Sequence, residues 1–180
     1  MMEYFNTGTV KFENGSKVGD LILNYDLLTD NLITKRFEKD YIVDKRVIDG
    51  FSFYDPKTSK AFVFKKIETG DGFFFGEELY ACSMFTLYKK NALRLQVSAP
   101  QAGYGSDNFK EKKYTVDESA YYILKQDSVL IEVDKKSQAL KDFIITIQDD
   151  TEAELKTFQK LKVNPSSQDK IISFFKLLCQ

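Results

Sequence analysis

The chain has 180 residues with 26 basic and 27 acidic side chains, a formal net charge of −1, 43% hydrophobic residues and no histidine. Such a balanced surface argues against nucleic acid, whose affinity comes from neutralising phosphates with Lys and Arg. Without imidazole there is no His-containing triad, no His metal ligand and no side chain that titrates near neutrality unperturbed.

With 16 Phe, 10 Tyr and no Trp, the composition favours strands. In TVKFENGSKVGDLILNY, Val10 and Phe12 alternate with polar neighbours, Asn14-Gly15 marks a hairpin, and Leu21, Leu23 and Tyr25 continue the apolar face. Further strands are predicted over residues 31–37, 41–45, 48–54 and 60–67, punctuated by Asp55-Pro56 and Gly70-Asp71-Gly72.

In GDGFFFGEELYACSMFTLYKK, strand alternation sends Phe73 and Phe75 to one face and Phe74 to the other. Two of the three are expected in the core and the third under the helical tail or at a contact surface. Residues 79–88 read as a long arm with neither side strongly polar, suited to the middle of a covered sheet or to a curved sheet with a filled concave side. After NALRLQV, residues 98–108 (SAPQAGYGSDN) form the clearest loop, and strands resume as KKYTV, YYILK and VLIEV.

The period changes after Lys135. Ala139, Leu140 and Phe143 suggest a helix, Thr151 and Glu154 have capping-box spacing, and Asn164-Pro165-Ser166 opens a last helix, IISFFKLL. The expected fold is mainly β: an antiparallel domain over residues 3–134, curved or barrel-like, with a helical C-terminal segment over 135–180 packed on it.

Chemistry is sparsely signalled. Asp44, Asp49, Asp55, Glu77 and Glu78 bracket strands and read as solvated strand-end acids, and KEKK at 110–113 as a solvated strand edge. DLLTDN lacks the ligand spacing of a calcium loop, and GYG at 103–105 lacks the lysine and helix of a phosphate loop. No catalytic residue, metal site or cofactor is expected. Cys82 reads as a small core residue; pairing with Cys179 stays open, and with it the redox compartment.

No stretch approaches the roughly 20 apolar residues that span a bilayer, so a transmembrane protein is not expected. MMEYFNTG lacks the basic and apolar regions of a secretory leader. At face value that means the cytoplasm; with a leader removed, the periplasm or cell envelope.

The pattern GTVKFENGSKVGDLILNYDLLTDNLI, with IDGFSFYD and YYILKQDSVLIEVDKKSQALKDF, resembles a group of uncharacterised bacterial exported proteins. The resemblance covers most of the chain and implies an envelope location, with no catalytic residue to carry over. The expected function is a non-catalytic structural or interaction module whose partner is a protein or envelope component. Tyr104, between two glycines of the 98–108 loop, is the expected contact residue. The alternative is a curved-sheet carrier of an apolar ligand or lipid, with Tyr80 and Tyr88 on the ligand face.

Overall fold

The computed structural model describes residues 5–97, 113–134, 136–147, 151–161 and 167–179. At the N-terminus, β1 (Asn6–Phe12) and β2 (Lys17–Asp26) form the expected hairpin. Its turn is closed by Asn14 Oδ1, which accepts from the Ser16 amide at 2.9 Å, and by Gly15 at φ 82°. The strands β3 (Asn31–Arg36), β4 (Lys39–Ile42), β5 (Ile48–Asp55), β6 (Lys60–Thr69), β7 (Gly72–Ala81) and β8 (Phe85–Lys90) follow by antiparallel pairing. Later come β9 (Leu93–Val97) and β10 (Lys113–Asp117), which form a separate two-stranded sheet among the described residues, then β11 (Ala120–Lys125) and β12 (Leu130–Glu132).

The main sheet has 10 strands in the order β12-β11-β8-β7-β6-β5-β1-β2-β3-β4. Among the described residues its end strands are β12 and β4, and it is not closed into a barrel. Bulges bend it where β2 spends three steps, Val18 to Leu21, against two of β1, and where Asp49 on β5 and Leu79 on β7 are inserted. Gly8 sits at the first bend, where a Cβ would lie 2.3 Å from the Ser52 carbonyl oxygen.

One face of the sheet carries two cores. In the N-terminal half, Val10, Leu23, Tyr25, Leu32, Phe51, Phe53, Phe64 and Phe75 are buried together, and among the described residues strands and their turns alone supply this cluster. Phe51 stacks on Phe64 at 4.7 Å, and Tyr25 stands edge-on to both at 5.1 and 5.2 Å. Such ring pairs add about 0.5–1.5 kcal/mol beyond area burial.

In the C-terminal half, α1 (Gln138–Ile147), α2 (Thr151–Lys160) and α3 (Gln168–Leu177) cover Phe85, Leu87, Tyr121, Ile123 and Ile131 with Leu140, Phe143, Phe158, Ile171 and Phe175. Phe85 lies 5.6 Å from both Phe143 and Phe175. The opposite face of the sheet holds a small cluster of Ile67, Phe74 and Tyr88.

The three phenylalanines divide by face as alternation requires. Phe75 is buried and Phe73 half-buried against the N-terminal core, while Phe74 is buried on the other side with Ile67 and Tyr88. Two of the three are thus buried; for the third, Phe73, the described helices supply no cover, which leaves out the helical tail as one of its two expected places. Phe73 is instead covered by the Lys66 ammonium, 4.3 Å from its ring centroid.

The long arm is also interrupted. A turn over residues 82–84 makes β7 and β8 a hairpin, and it lifts Cys82 out of the strand to meet the end of α3. Cys82 is therefore half-buried and bonded to Cys179, 97 residues away.

Candidate functional site

The open end of the sheet is the most unusual surface. β3 and β4 are joined by Arg36-Phe37-Glu38-Lys39, with Arg36 paired to Lys39. Both central residues are left-handed, Phe37 at φ 49° and Glu38 at φ 63°. A two-residue turn of this kind matches the twist of the strands but suits Asn-Gly. For an L-residue with a bulky side chain the left-handed region costs about 1–2 kcal/mol. Phe37 nonetheless occupies it, and its side chain is 83% exposed.

Near that ring Tyr41, at 48% exposure, and Ile22, at 40%, are also uncovered, while Ile42, at 68%, lies farther along β4, opposite Ile33. The Arg36 guanidinium rests 5.2 Å from the Phe37 ring centroid. Phe37, Tyr41, Ile22, Leu21 and the stems of Lys35 and Arg36 border an open depression of about 650 Å³. β4 itself is an edge strand; Lys39 and Asp40 guard it against uncontrolled pairing.

The base of this tip is held firmly. Tyr25 donates its hydroxyl to Asp30 Oδ1, and Lys45 reaches Asp30 Oδ2 at 2.8 Å. Burial, then the Asp30 hydrogen bond, raises the Tyr25 phenol well above its ordinary value. Asp44 caps a short 3-10 turn, Lys45–Val47, by accepting from the Arg46 amide, and it takes two side-chain bonds from the Arg46 guanidinium. Those bonds lower the Asp44 carboxyl to about 2.

The expected site residues fall in separate places. Tyr104 and the 98–108 loop lie outside the described residues. Tyr80 and Tyr88 do not share a ligand face. The cross-strand pairs Tyr80 with Leu87 and Glu78 with Tyr88 put the two rings on opposite sides of the sheet. Tyr80 packs against the helical core, 6.3 Å from Phe85, whereas Tyr88 is 3% exposed beside Phe74. The reason is the Leu79 bulge and the turn at 82–84, which shift the alternation.

The strand-end acids have local partners. Asp49 pairs with Lys11, Glu78 with Lys65 at 2.7 Å, and Glu77 accepts from Asn91. Asp55 accepts from the Lys57 amide and the Thr58 hydroxyl, and the hydroxyl bond leads in lowering its carboxyl. Among the described residues no three Cys, Asp or Glu side chains converge as a metal site, and no helix is long and apolar enough to cross a membrane.

The sequence reading missed Phe37 because NLITKRF ran through it as a strand. Arg-Phe-Glu-Lys contains neither Gly nor Asn, the usual turn signals. The short spacing to YIVDK was the available hint.

No family model, curated protein or solved structure matches the chain.

Proposed function

We infer that the protein is a non-catalytic interaction module whose contact surface is the β2–β4 end of the sheet, and that it works in an oxidising compartment, the cell envelope. The exposed Phe37 in a left-handed turn carries the first half. Its backbone is unfavourable and its ring gains little from the fold of the isolated chain. A partner that buried the ring would recover about 1.5–3 kcal/mol.

The Cys82–Cys179 bond supports the second half, since cytosolic thiol pools keep most such pairs reduced. The resemblance to exported bacterial proteins points the same way. The carrier alternative is weakened by the aromatic filling of the inner face, where Tyr25, Phe51, Phe64 and Phe75 occupy the space a ligand would need.

Replacing Phe37-Glu38 with Asn-Gly tests the contact surface. Relieving the turn should raise stability by about 1–2 kcal/mol, while retention of the envelope component that binds immobilised wild-type protein should fall. Unchanged retention would reject the β2–β4 surface. Trapping of free thiols in intact cells tests the compartment: Cys82 and Cys179 should resist alkylation until reductant is added, and ready alkylation would place the protein in a reducing space.

A further inference from the structure

The outer face of the sheet, opposite the two cores, carries a row of lysines that strand register places in line. Cross-strand pairing runs Lys17 to Lys11, Lys11 to Gly50, Gly50 to Lys65, Lys65 to Gly76 and Gly76 to Lys90, across β2, β1, β5, β6, β7 and β8. Directly paired residues share a face, so the four ammonium groups stand on one side of the sheet. Neighbouring strands lie about 4.8 Å apart, which spaces Lys11, Lys65 and Lys90 at steps of about 9.6 Å.

All four lysines are exposed. Two carboxylates stand among them, Asp49 on Lys11 and Glu78 on Lys65, and leave the row with an excess of positive charge on a chain whose net charge is −1. Between Lys11 and Lys65 the glycine at position 50 contributes no side chain. A Cβ there would lie 2.5 Å from the Phe64 carbonyl oxygen. The result is an open groove of about 400 Å³ lined by Thr9, Lys11, Lys17, Ser52, Val63 and Lys65 among others.

The geometry points to a binding site for a linear acidic polysaccharide laid across the strands. Its carboxylates would meet Lys11, Lys65 and Lys90, whose spacing is close to the length of two sugar rings. Thr9 and Ser52 would serve the sugar hydroxyls, and Val63, 40% exposed, offers an apolar surface to a ring face. Single-stranded nucleic acid fits less well, because it needs exposed aromatic platforms for its bases. The aromatic residues bordering this groove, Phe51 and Phe64, are buried at 3% and 1% exposure and point to the inner core.

The test is binding of fluorescent polygalacturonate oligomers to the intact oxidised protein at low salt, beside neutral dextran and oligo(dT). Polygalacturonate alone should bind, and added salt should weaken it as Coulomb attraction is screened. The variant Lys17→Glu/Lys90→Glu removes two lysines that hold no ion pair with a described residue. It should bind at least about tenfold more weakly with unchanged far-UV circular dichroism. Lys60→Glu/Lys160→Glu makes the same change in net charge away from the row, at two exposed positions, and should bind as the wild type does. The proposal is overturned by absent polygalacturonate binding, by equal or tighter oligo(dT) binding, or by equal loss in the two variants.

Discussion

The two halves of the sheet solve the same burial problem by different means. The N-terminal half bends at its bulges and fills its inner face with its own rings, whereas the C-terminal half keeps its strands under three helices and ties the last helix to the β7–β8 turn through a disulfide. The first arrangement draws on strand pairing and aromatic packing between neighbours in the sheet. The second depends on docking a segment that follows every strand in sequence. Elements whose cover comes from a separate layer can lose it without losing their own pairing, so the halves should open separately.

The disulfide offers the largest break in that comparison. It closes a loop of 97 residues that contains β8 to β12 and all three helices, and a loop of that size constrains the unfolded chain by about 4.7 kcal/mol in the chain-entropy model. Reduction, or Cys82→Ser/Cys179→Ser, should cost several kcal/mol. Hydrogen exchange should accelerate in α1, α3, β11 and β12 while β1, β2, β5 and β6 keep their protection. Uniform acceleration would show one cooperative unit.

Single rings come next. Phe64→Ala empties the middle of the N-terminal stack and Phe175→Ala the helix–sheet contact, and each should cost about 3–5 kcal/mol. The two residues belong to different clusters and share no ring partner. Their costs in denaturant melts should therefore add within about 0.5 kcal/mol. A larger coupling would mean that the cores support each other through the sheet.

The difference between the halves also explains what the sequence revealed. Alternation in Val10 and Phe12, in Leu21, Leu23 and Tyr25, and in Phe73 to Phe75 is local, so strands, faces and the Asn14-Gly15 hairpin were readable. The change of period after Lys135 similarly announced the helices. Bulges were not readable, because an inserted residue such as Leu79 looks like any other member of an apolar run. Yet that insertion separates Tyr80 from Tyr88 and dissolves the expected ligand face. The disulfide was hidden for a related reason: only the fold brings Cys82 and Cys179 together. The lysine row is a property of register across six strands, which no single stretch of sequence displays.

The smallest effects concern one hydroxyl in each half. Tyr25 donates to Asp30, whereas the buried Tyr121 hydroxyl has no hydrogen-bond partner among the described residues. Tyr25→Phe should cost about 1 kcal/mol at neutral pH, and Tyr121→Phe should be neutral or slightly stabilising, because it removes a polar atom that burial leaves unsatisfied. Alkali sharpens the contrast. Burial is the leading cause that raises both phenols, Tyr121 from 10.0 to about 12 and Tyr25 further. Above pH about 10 the unfolded chain releases these protons while the native protein keeps them. The unfolded state then binds fewer protons, so stability is constant below that pH and falls as pH rises toward the native values. Each Tyr→Phe variant should flatten part of that fall in urea melts. An alkaline slope unchanged in both variants would mean that neither phenol is buried as the structure describes.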